Sequence, residues 1–558
     1  MIRDLSEAVV YQLYPRSFND SDGDGVGDLP GAIERLDYVE SLNPDVVWLN
    51  PVYDSPQADA GYDVRDYYAI DDDYGTMADL ETLLAALHDR GIGLIMDLVV
   101  NHTSDEHEWF RRSRRGDPAF ADYYHWVEGD PGEAPNNWTS AFGGSAWSYD
   151  DERGAWYLHL FDEKQPDLDW RNPAVREDVY EMMDWWLEKG VDGFRMDVIN
   201  LISKPEGYPD GDPGGWVGSE QFVDGPNVRS YLEEMAERAL DPHDAVTVGE
   251  CAAVSLETAN EYVGPDGPLD TLFHFDHMGL DSHPEEGWWG VGDWDLLELK
   301  AVFDRWEAGL EGSNAVYLGN HDQSRIVSRF GDDGQYRRES AKLLGTFLLS
   351  MPGTPFCYQG DELGMTNYPW SSLSELRDAD AVNRVELALA DGRIDGFGEV
   401  RDVVRYRARD NARTPMQWDE SANAGFTDGE PWLPVNPDHA EVNAEAARGD
   451  PDSVYHHYRR LVDLRDDHPA LADGEYVPLT PDHPTVWAYD RAGAGERLRV
   501  VLNWTDVPTD PPVEVTGENL IENYELTDRL RPYEARIHRH GGGQIGRASC
   551  RERVCPYV

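Results

Sequence analysis

The chain has 558 residues, which is too long for one compact core of ordinary size and suits a barrel domain with inserted and appended modules. Apolar residues make up 40% of it and aromatic residues 11%, so a large core is feasible and extensive disorder is excluded. A formal net charge of −62, from 109 acidic and 47 basic residues, argues against nucleic acid as a partner.

Strand-like apolar runs alternate with helical patterns along the chain, which predicts βα units around a parallel sheet. The runs lie at residues 8–14, 45–49, 93–99, 193–197, 245–250, 271–276, 315–320 and 355–359. Helical periodicity marks residues 80–90, 174–188, 228–239 and 340–349. Eight strands separated by helices predict an α/β fold of the (β/α)8 or TIM barrel type.

The spacing of these runs predicts the domain organisation. About ninety residues separate the third and fourth strands, far more than one βα unit needs. We therefore predict an inserted domain B at 101–170 on the catalytic face of a barrel formed by 1–100 and 171–471. From 472 to 543, short alternating runs predict a C-terminal antiparallel β-sandwich domain. Residues 544–558 are basic in an otherwise strongly acidic chain, and we predict that they are a non-native tail.

Three of the strand-like runs lead to an acid: Asp197, Glu250 and Asp322. The C-terminal ends of barrel strands are where catalytic groups lie, and paired carboxylates hydrolyse glycosides. Arg195 shares a strand face with Asp197 and favours its ionised form, which predicts a nucleophile. Glu250 follows apolar residues with no cation nearby in sequence, which favours a proton donor. His321 and Asp322 can hydrogen-bond sugar hydroxyls. A strand-end cap or a surface ion pair explains one such acid equally well, but not three.

Four motifs carry a resemblance to a known family: DLVVNH at 97–102, GFRMD at 193–197, VGE at 248–250 and NHD at 320–322. They resemble glycoside hydrolase family 13, the α-amylase family, in its oligo-1,6-glucosidase and α-glucosidase branch, over about residues 10–531. The resemblance implies that Asp197 is the nucleophile, Glu250 the acid/base and Asp322 the stabiliser of the transition state. It implies a retaining exo-α-glucosidase that releases terminal non-reducing glucose from isomaltose, isomalto-oligosaccharides and, as further candidates, maltose or sucrose.

The resemblance also implies a closed first glucose subsite. Tyr62 would supply the stacking ring and Asp63 a carboxylate for a hydroxyl group. The remaining contacts would come from His102, Arg195, His321 and Arg413. From the residues alone, His102 is equally a core histidine, Tyr62 a loop aromatic and Arg413 an ion-pair partner of Asp410.

The sequence DSDGDGVGD at 20–28 spaces oxygen ligands as a calcium-binding loop does. The candidate ligands are the carboxylates of Asp20, Asp22, Asp24 and Asp28 and the backbone carbonyl of Val26. The loop differs from an EF-hand, since it has no acid at position twelve and no flanking helix pair, and a solvated acidic loop is the alternative. Similar members of the branch bind Ca2+ in this loop, so we predict a structural Ca2+ and no organic cofactor.

Two positions bear on the substrate. Val198 follows the nucleophile, where valine tends to accompany α-1,6 linkages in this branch, although a core β-branched residue is the plain alternative. The sequence QPDLD at 165–169 resembles the branch signature QPDLN, with Asp169 in place of Asn.

Two alternative functions remain open. The first is a transglucosylase, or a sucrose or trehalose isomerase, with the same active site. The second is an inactive relative that serves a transporter, which should lack some of the acids and carry a membrane segment.

The acidic, lysine-poor composition resembles that of proteins from extreme halophiles. Self-repulsion of this size is tolerable at molar salt, where the Debye length is about 3 Å. An acidic patch for a cationic partner predicts clustered acids, whereas the acids here are spread along the chain. Residues 1–7 lack an apolar signal core and no apolar run spans a membrane, so we predict a halophilic cytoplasmic enzyme without a membrane partner.

Two of the cysteines are predicted to be buried. Cys251 and Cys357 lie in or beside strand-like runs, and we predict that their thiols are free and buried.

Overall fold

The computed structural model describes residues 5–283 and 286–540, and its centre is a closed barrel of eight parallel strands. The strands are β1 (Val10–Leu13), β2 (Val46–Leu49), β3 (Gly93–Val99), β4 (Gly193–Asp197), β5 (Val246–Glu250), β6 (Thr271–Phe273), β7 (Ser313–Val316) and β8 (Thr354–Tyr358). Each strand pairs with its neighbours in sequence, and β8 closes the barrel on β1. This barrel, with an antiparallel sheet C-terminal to it, confirms the predicted fold class.

Helices separate the barrel strands along the chain. The longer ones are α1 (Met77–Asp89), α2 (Pro173–Lys189), α3 (Val228–Met235), α4 (Leu256–Val263), α5 (Leu296–Gly309), α6 (Arg337–Ser350), α7 (Ala379–Ala390) and α8 (Val454–Asp467). Shorter helices cover Leu29–Glu34, Leu36–Ser41, Glu108–Arg114, Ser219–Phe222, Ile326–Phe330, Arg401–Arg407, Asp410–Arg413, Ala444–Gly449 and Pro469–Ala472. In α1, a capping box of Thr76 and Asp79 sets the start, and a leucine stripe at 80, 83, 84 and 87 is buried.

All eight predicted barrel strands coincide with observed strands, because each is a short apolar run buried over its whole length or nearly so. The largest difference is in β7, which ends at Val316 rather than at residue 320. Asp322 therefore lies in the loop after the strand and not at the strand end.

Strands β4 and β5 approach each other closely at their first residues, Gly193 and Val246. A Cβ atom on Gly193 would lie 1.9 Å from the carbonyl oxygen of Val246, so only glycine fits there. The register pairs Val248 with Arg195, which places Glu250 across from the end of β4. β3 pairs Asp97 with Arg195 on the other side.

In the described residues four further sheets lie outside the barrel, and two of them are two-stranded: Tyr53–Asp54 with Asp66–Ile70, and Ser282–His283 with Gly287–Val291. Within the region predicted as domain B, Trp126–Glu128, Trp147–Asp150 and Ala155–Leu158 form a three-stranded antiparallel sheet. The C-terminal region carries a five-stranded antiparallel sheet of Glu475–Pro478, Val486–Gly493, Glu496–Asn503, Glu518–Glu522 and Ala535–His540. Lys300 on α5 connects it to the barrel, since its Nζ donates to three carbonyl oxygens at Thr480, His483 and Val486, each at 2.7 Å.

The structure bears on the predicted thiols and on the predicted lack of a membrane segment. Cys251 and Cys357 are buried and free, as predicted. The predicted tail at 544–558, with Cys550 and Cys555, lies outside the described residues. In the part of the chain that is described, no helix combines the length and the apolar character needed to cross a membrane.

Candidate active site

A cavity of about 790 Å³, including its open mouth, lies at the C-terminal end of the barrel strands. Among the residues that the structure describes, four carboxylates, of Asp59, Asp197, Glu250 and Asp322, line it together with one cation, Arg409. Its other lining residues are Tyr62, His102, Ala141, Phe142, Phe161, Gln165, Val198, Leu201, Trp216, Ala252 and Phe275. The region predicted as domain B supplies part of this wall, which places its loops over the barrel mouth as expected of an α/β-barrel active site.

Arg195 is the buried centre of the acid cluster. Its Nη1 donates to Oδ1 of Asp197 at 2.9 Å and, by a shorter contact, to Asp97. Its Nη2 lies 2.7 Å from Oε1 of Glu250. One guanidinium therefore holds three carboxylates, because β3, β4 and β5 are neighbours in register. Two carboxylates bound to the two terminal nitrogens of one guanidinium must lie close together.

Arg195 binds both catalytic acids, which corrects the prediction from sequence. Arg195 was expected to mark Asp197 alone as the charged acid, with Glu250 remote from any cation. In the structure Arg195 forms ion pairs with both acids, because the neighbouring strand brings Glu250 to the same guanidinium. Burial raises the pKa of Asp197 well above its usual value, although Arg195 opposes the rise and Glu250 adds to it. Local sequence neighbours therefore do not distinguish the two roles.

Asp97 acts behind Arg195 as a fixed acceptor. Burial raises its pKa to about 6, although Arg195 lowers it. Its Oδ2 accepts hydrogen bonds from Trp48 Nε1 at 2.9 Å and from the Tyr62 hydroxyl at 3.2 Å. These contacts fix the Tyr62 ring in the cavity wall, where it stacks on the His321 ring with 5.2 Å between centroids.

Asp322 lies among cations and is held in its ionised form. Its Oδ1 accepts from Arg413 Nη2 at 2.5 Å and from Arg409 Nη1 at 3.4 Å, and Oδ2 is 3.1 Å from His321 Nε2. Burial raises the pKa of Asp322, but the contact with His321 and the guanidinium groups of Arg413 and Arg409 outweigh burial and hold it well below its usual value. Burial lowers the pKa of His321 to about 3, so the ring is neutral, and Gln12 donates to its Nδ1 at 2.9 Å.

His102 reaches the cavity from the loop after β3. Its Nε2 is 3.1 Å from the carbonyl oxygen of Tyr62 and 3.2 Å from Nε2 of Gln165. Gln165 also donates to Oδ2 of Asp59 at 3.1 Å. His102 thus lines the cavity, and its contact with a glucose unit stays a prediction.

The structure does not bring every predicted subsite residue to the cavity. The Asp63 carboxylate is fully buried beneath the loop, where it accepts the amides of Ala58 and Asp59 at 2.9 Å and Ser55 Oγ at 3.1 Å. Burial raises its pKa to about 7. Arg195, His321 and Arg413 are buried behind the lining residues and act on the acids from there. Asp63 therefore shapes the loop and is not placed to bind a sugar hydroxyl group.

Two lining residues that sequence reasoning missed form an ion pair across the cavity. Arg409 Nη2 donates to Oδ1 of Asp59 at 2.9 Å, while its Nε donates to Oδ1 of Asp378 at 2.7 Å. Both lie within four residues of predicted ones, Asp59 before Asp63 and Arg409 before Arg413. Spacing within a turn or a short helix did not indicate which member faces inward.

Asp169, at the position where the branch signature has Asn, lies outside the cavity lining. Its two carboxylate oxygens accept from Arg171 Nε and Nη2 at 2.8 and 2.7 Å. Burial raises the pKa of Asp169, but His125 and Arg171 outweigh it and lower the pKa overall. The acid therefore has a local ion-pair partner that accounts for its charge.

The acidic loop at 20–28 brings three carboxylates together. Oxygen atoms of Asp20, Asp22 and Asp28 lie within 4.8 Å of one another. Asp24 is not in this group, and its Oδ1 accepts the amide of Val26 at 2.8 Å. Burial and then neighbouring acids raise the pKa of Asp24 and Asp28, opposed by amide hydrogen bonds. Crowded anionic oxygens of this kind fit a hard divalent cation.

The chain is similar to known proteins over nearly its whole length. The family profile described as "Alpha amylase, catalytic domain" matches residues 12–474. The oligo-1,6-glucosidase of Halalkalibacterium halodurans is 51% identical, with 95% of this chain and 98% of that protein covered. The trehalose-6-phosphate hydrolase of Bacillus subtilis is 45% identical, with 96% and 97% covered. The crystal structure of isomaltulose synthase from Erwinia rhapontici superposes with a TM-score of 0.92 at 41% identity, with 96% and 98% covered.

Proposed function

The chain belongs to the α-amylase family and is a glycoside hydrolase, and from that premise we propose a retaining, exo-acting α-glucosidase. It would release terminal non-reducing glucose from isomaltose and isomalto-oligosaccharides, with maltose and sucrose as further candidate substrates. The observation that carries the proposal is the single guanidinium of Arg195 bound to both Asp197 and Glu250. A retaining pair of carboxylates must lie about 5 Å apart, and a shared guanidinium supports that closeness.

The proposed reaction proceeds in two displacements. Asp197 Oδ attacks the anomeric carbon while the glycosidic bond breaks, and the bonding electron pair leaves with the oxygen, which takes a proton from Glu250. Glu250, now ionised, then removes a proton from water as that water attacks the anomeric carbon. The ester bond to Asp197 breaks, its electron pair returns to the Asp197 carboxylate, and glucose leaves with its configuration retained. Asp322, held ionised by arginines, would stabilise the positive charge on the sugar ring in both transition states.

We propose that the substrate is uncharged, in contrast to the phosphorylated sugar named for one relative. Among the described residues that line the cavity, Arg409 is the one cation, and its nitrogens already bind Asp59, Asp322 and Asp378. Four lining carboxylates would repel a phosphate, and the remaining wall is mainly apolar. We expect kcat/KM for isomaltose to exceed that for trehalose 6-phosphate by at least about a hundredfold. Equal rates would contradict the proposal.

The experiment that tests the proposed function is product analysis by proton NMR. Isomaltose and maltose are each added at low and at high concentration. We expect α-glucose as the first-formed product, because two displacements retain configuration. β-Glucose would exclude the retaining mechanism. Mainly isomerised or lengthened sugars at high substrate would instead indicate the transglucosylase or isomerase rival.

We propose a structural Ca2+ in the loop at 20–28. Asp20, Asp22 and Asp28 would hold it, with Asp24 and the Val26 carbonyl as further donors in the same loop. The Asp20 side chain also accepts a hydrogen bond from Thr427, so the loop is linked to a distant chain segment. We expect a chelator to lower the unfolding temperature and Ca2+, but not Mg2+, to restore it. An unfolding temperature unaffected by chelation would contradict the site.

We also propose that the enzyme works in a high-salt medium, because its net charge is −62. Self-repulsion falls as the Debye length shortens from about 30 Å at 0.01 M to about 3 Å at 1 M salt. Far-ultraviolet circular dichroism and activity should therefore both rise between dilute buffer and molar KCl. Full stability in dilute buffer would contradict this. The cytoplasm stays the sequence-based prediction for its compartment.

A further inference from the structure

We propose that the backbone amide of Val198 is a positioning group for the proton donor. Val198 N donates to Oε2 of Glu250 at 3.0 Å, while Arg195 Nη2 binds Oε1 at 2.7 Å. With a donor on each oxygen, the plane of the carboxyl group is fixed. The inference rests on the proposed function, in which Glu250 protonates the leaving oxygen.

The backbone of Val198 is unusual in a way that serves this contact. Its φ and ψ are 37° and 41°, in the left-handed region, where a β-branched residue is an outlier. The chain turns there from β4 into a short three-ten helix at Ile199–Leu201, and Leu201 N donates to Val198 O at 2.9 Å. Strained backbone of this kind persists where its surroundings determine it, and it gathers at functional sites.

The turn leaves the Val198 amide beyond the parallel ladders. The recorded pairing of β4 ends at Met196 toward β5 and at Asp197 toward β3. The amide that follows the nucleophile is therefore directed to the acid on the next strand. Because adjacent residues carry the attacking oxygen and the donor to Glu250, one rigid turn sets the two carboxyl groups relative to each other.

A purely structural hydrogen bond would leave a different kinetic signature. Proton donation matters strongly for a sugar leaving group and little for nitrophenolate, which departs without protonation. A misplaced Glu250 should thus lower kcat/KM for isomaltose and spare kcat/KM for 4-nitrophenyl α-glucoside, because kcat/KM reports formation of the glucosyl ester and not the later attack of water. A general loss of packing should slow both substrates alike.

The test replaces the Val198 amide with an ester by incorporating α-hydroxyvaline, which removes the donor and keeps the side chain. The matched control is the same replacement at Val246, whose amide donates to Asp192 O at 3.0 Å at the far end of β5. For the Val198 ester, kcat/KM for isomaltose should fall about tenfold or more, and that for the nitrophenyl substrate by less than about threefold. The control should lower both equally. Equal losses at Val198, or none, would overturn the proposal.

Two further measurements keep the outcomes distinct. Glu250→Gln should lower kcat/KM far more for isomaltose than for the nitrophenyl substrate, and if it does not, the proposed function itself fails. If Glu250→Gln shows the difference and the Val198 ester does not, only the present proposal fails. Should the ester protein not fold, the amide proton resonance of Val198, assigned through Val198→Ile, should move upfield in Glu250→Gln. An unchanged resonance would overturn the proposal.

Discussion

Replacing Arg195 with glutamine tests the electrostatic centre of the site. The substitution removes a cation that contacts Asp97, Asp197 and Glu250 together and leaves three carboxylates buried near one another. A hydrogen bond to a charged group is worth about 1.5–3 kcal/mol, and each 1.36 kcal/mol is tenfold in rate. Losing one such contact to the transition state predicts a fall in kcat/KM of about tenfold to a hundredfold.

The direction of the pH effect follows from the nucleophile. Asp197 must be ionised to attack, and burial already raises its pKa while Arg195 opposes the rise. Without Arg195 the pKa rises further, so activity is lost at a higher pH as the solution is made more acidic. The assay is the pH dependence of kcat/KM on 4-nitrophenyl α-glucoside, with thermal unfolding measured in parallel.

The matched control is Arg329→Gln, which breaks a buried ion pair whose two members do not line the cavity. Arg329 Nε and Nη2 bind the two oxygens of Asp281 at 2.7 and 2.8 Å. Breaking a buried pair costs about 3–5 kcal/mol of stability, so this variant should also unfold more easily. The acidic limb of its kcat/KM-against-pH profile should lie at the same pH as in the wild-type enzyme. If the acidic limb of Arg195→Gln lies at the wild-type pH, the reasoning is refuted. It is also refuted if the acidic limb of Arg329→Gln moves to higher pH by the same amount.

Two other predictions follow from side-chain contacts. Asp59→Asn weakens the ion pair with Arg409 in the cavity wall and should lower kcat/KM about tenfold, whereas Asp63→Asn should mainly lower the unfolding temperature. Steady-state kinetics and calorimetry of both variants check this, and the opposite ranking would restore Asp63 to the binding site. Lys300→Met removes three hydrogen bonds to the C-terminal region and should lower the free energy of unfolding by at least about 1.5–3 kcal/mol, as urea denaturation can measure. Unchanged stability would mean that Lys300 does not hold that region.

The barrel could be predicted from the sequence because its signals are local. Each strand is a short buried run, and the helices between them have apolar stripes such as that of α1. The end of β7 was harder, since apolar residues such as Leu318 continue beyond it and are buried in the loop as well. Burial without a ladder partner looks the same in sequence as burial within a strand.

The site was predictable in its acids but not in its contacts. That Arg195 binds Glu250 depends on the register of β4 with β5, which no local spacing encodes. That Asp59 rather than Asp63 faces the cavity depends on how one loop folds over its own amides. Contacts between distant segments, such as Arg409 with Asp59, follow from tertiary packing alone.

The most direct test of the account is to trap the covalent intermediate. The protein is incubated with 5-fluoro-α-glucosyl fluoride, digested and mapped by tandem mass spectrometry. The account predicts one fluoroglucosyl group on the carboxylate of Asp197, its loss when a sugar acceptor is added, and no adduct in Asp197→Asn. An adduct on Glu250 or Asp322, or steady turnover with no adduct on any carboxylate, would contradict it.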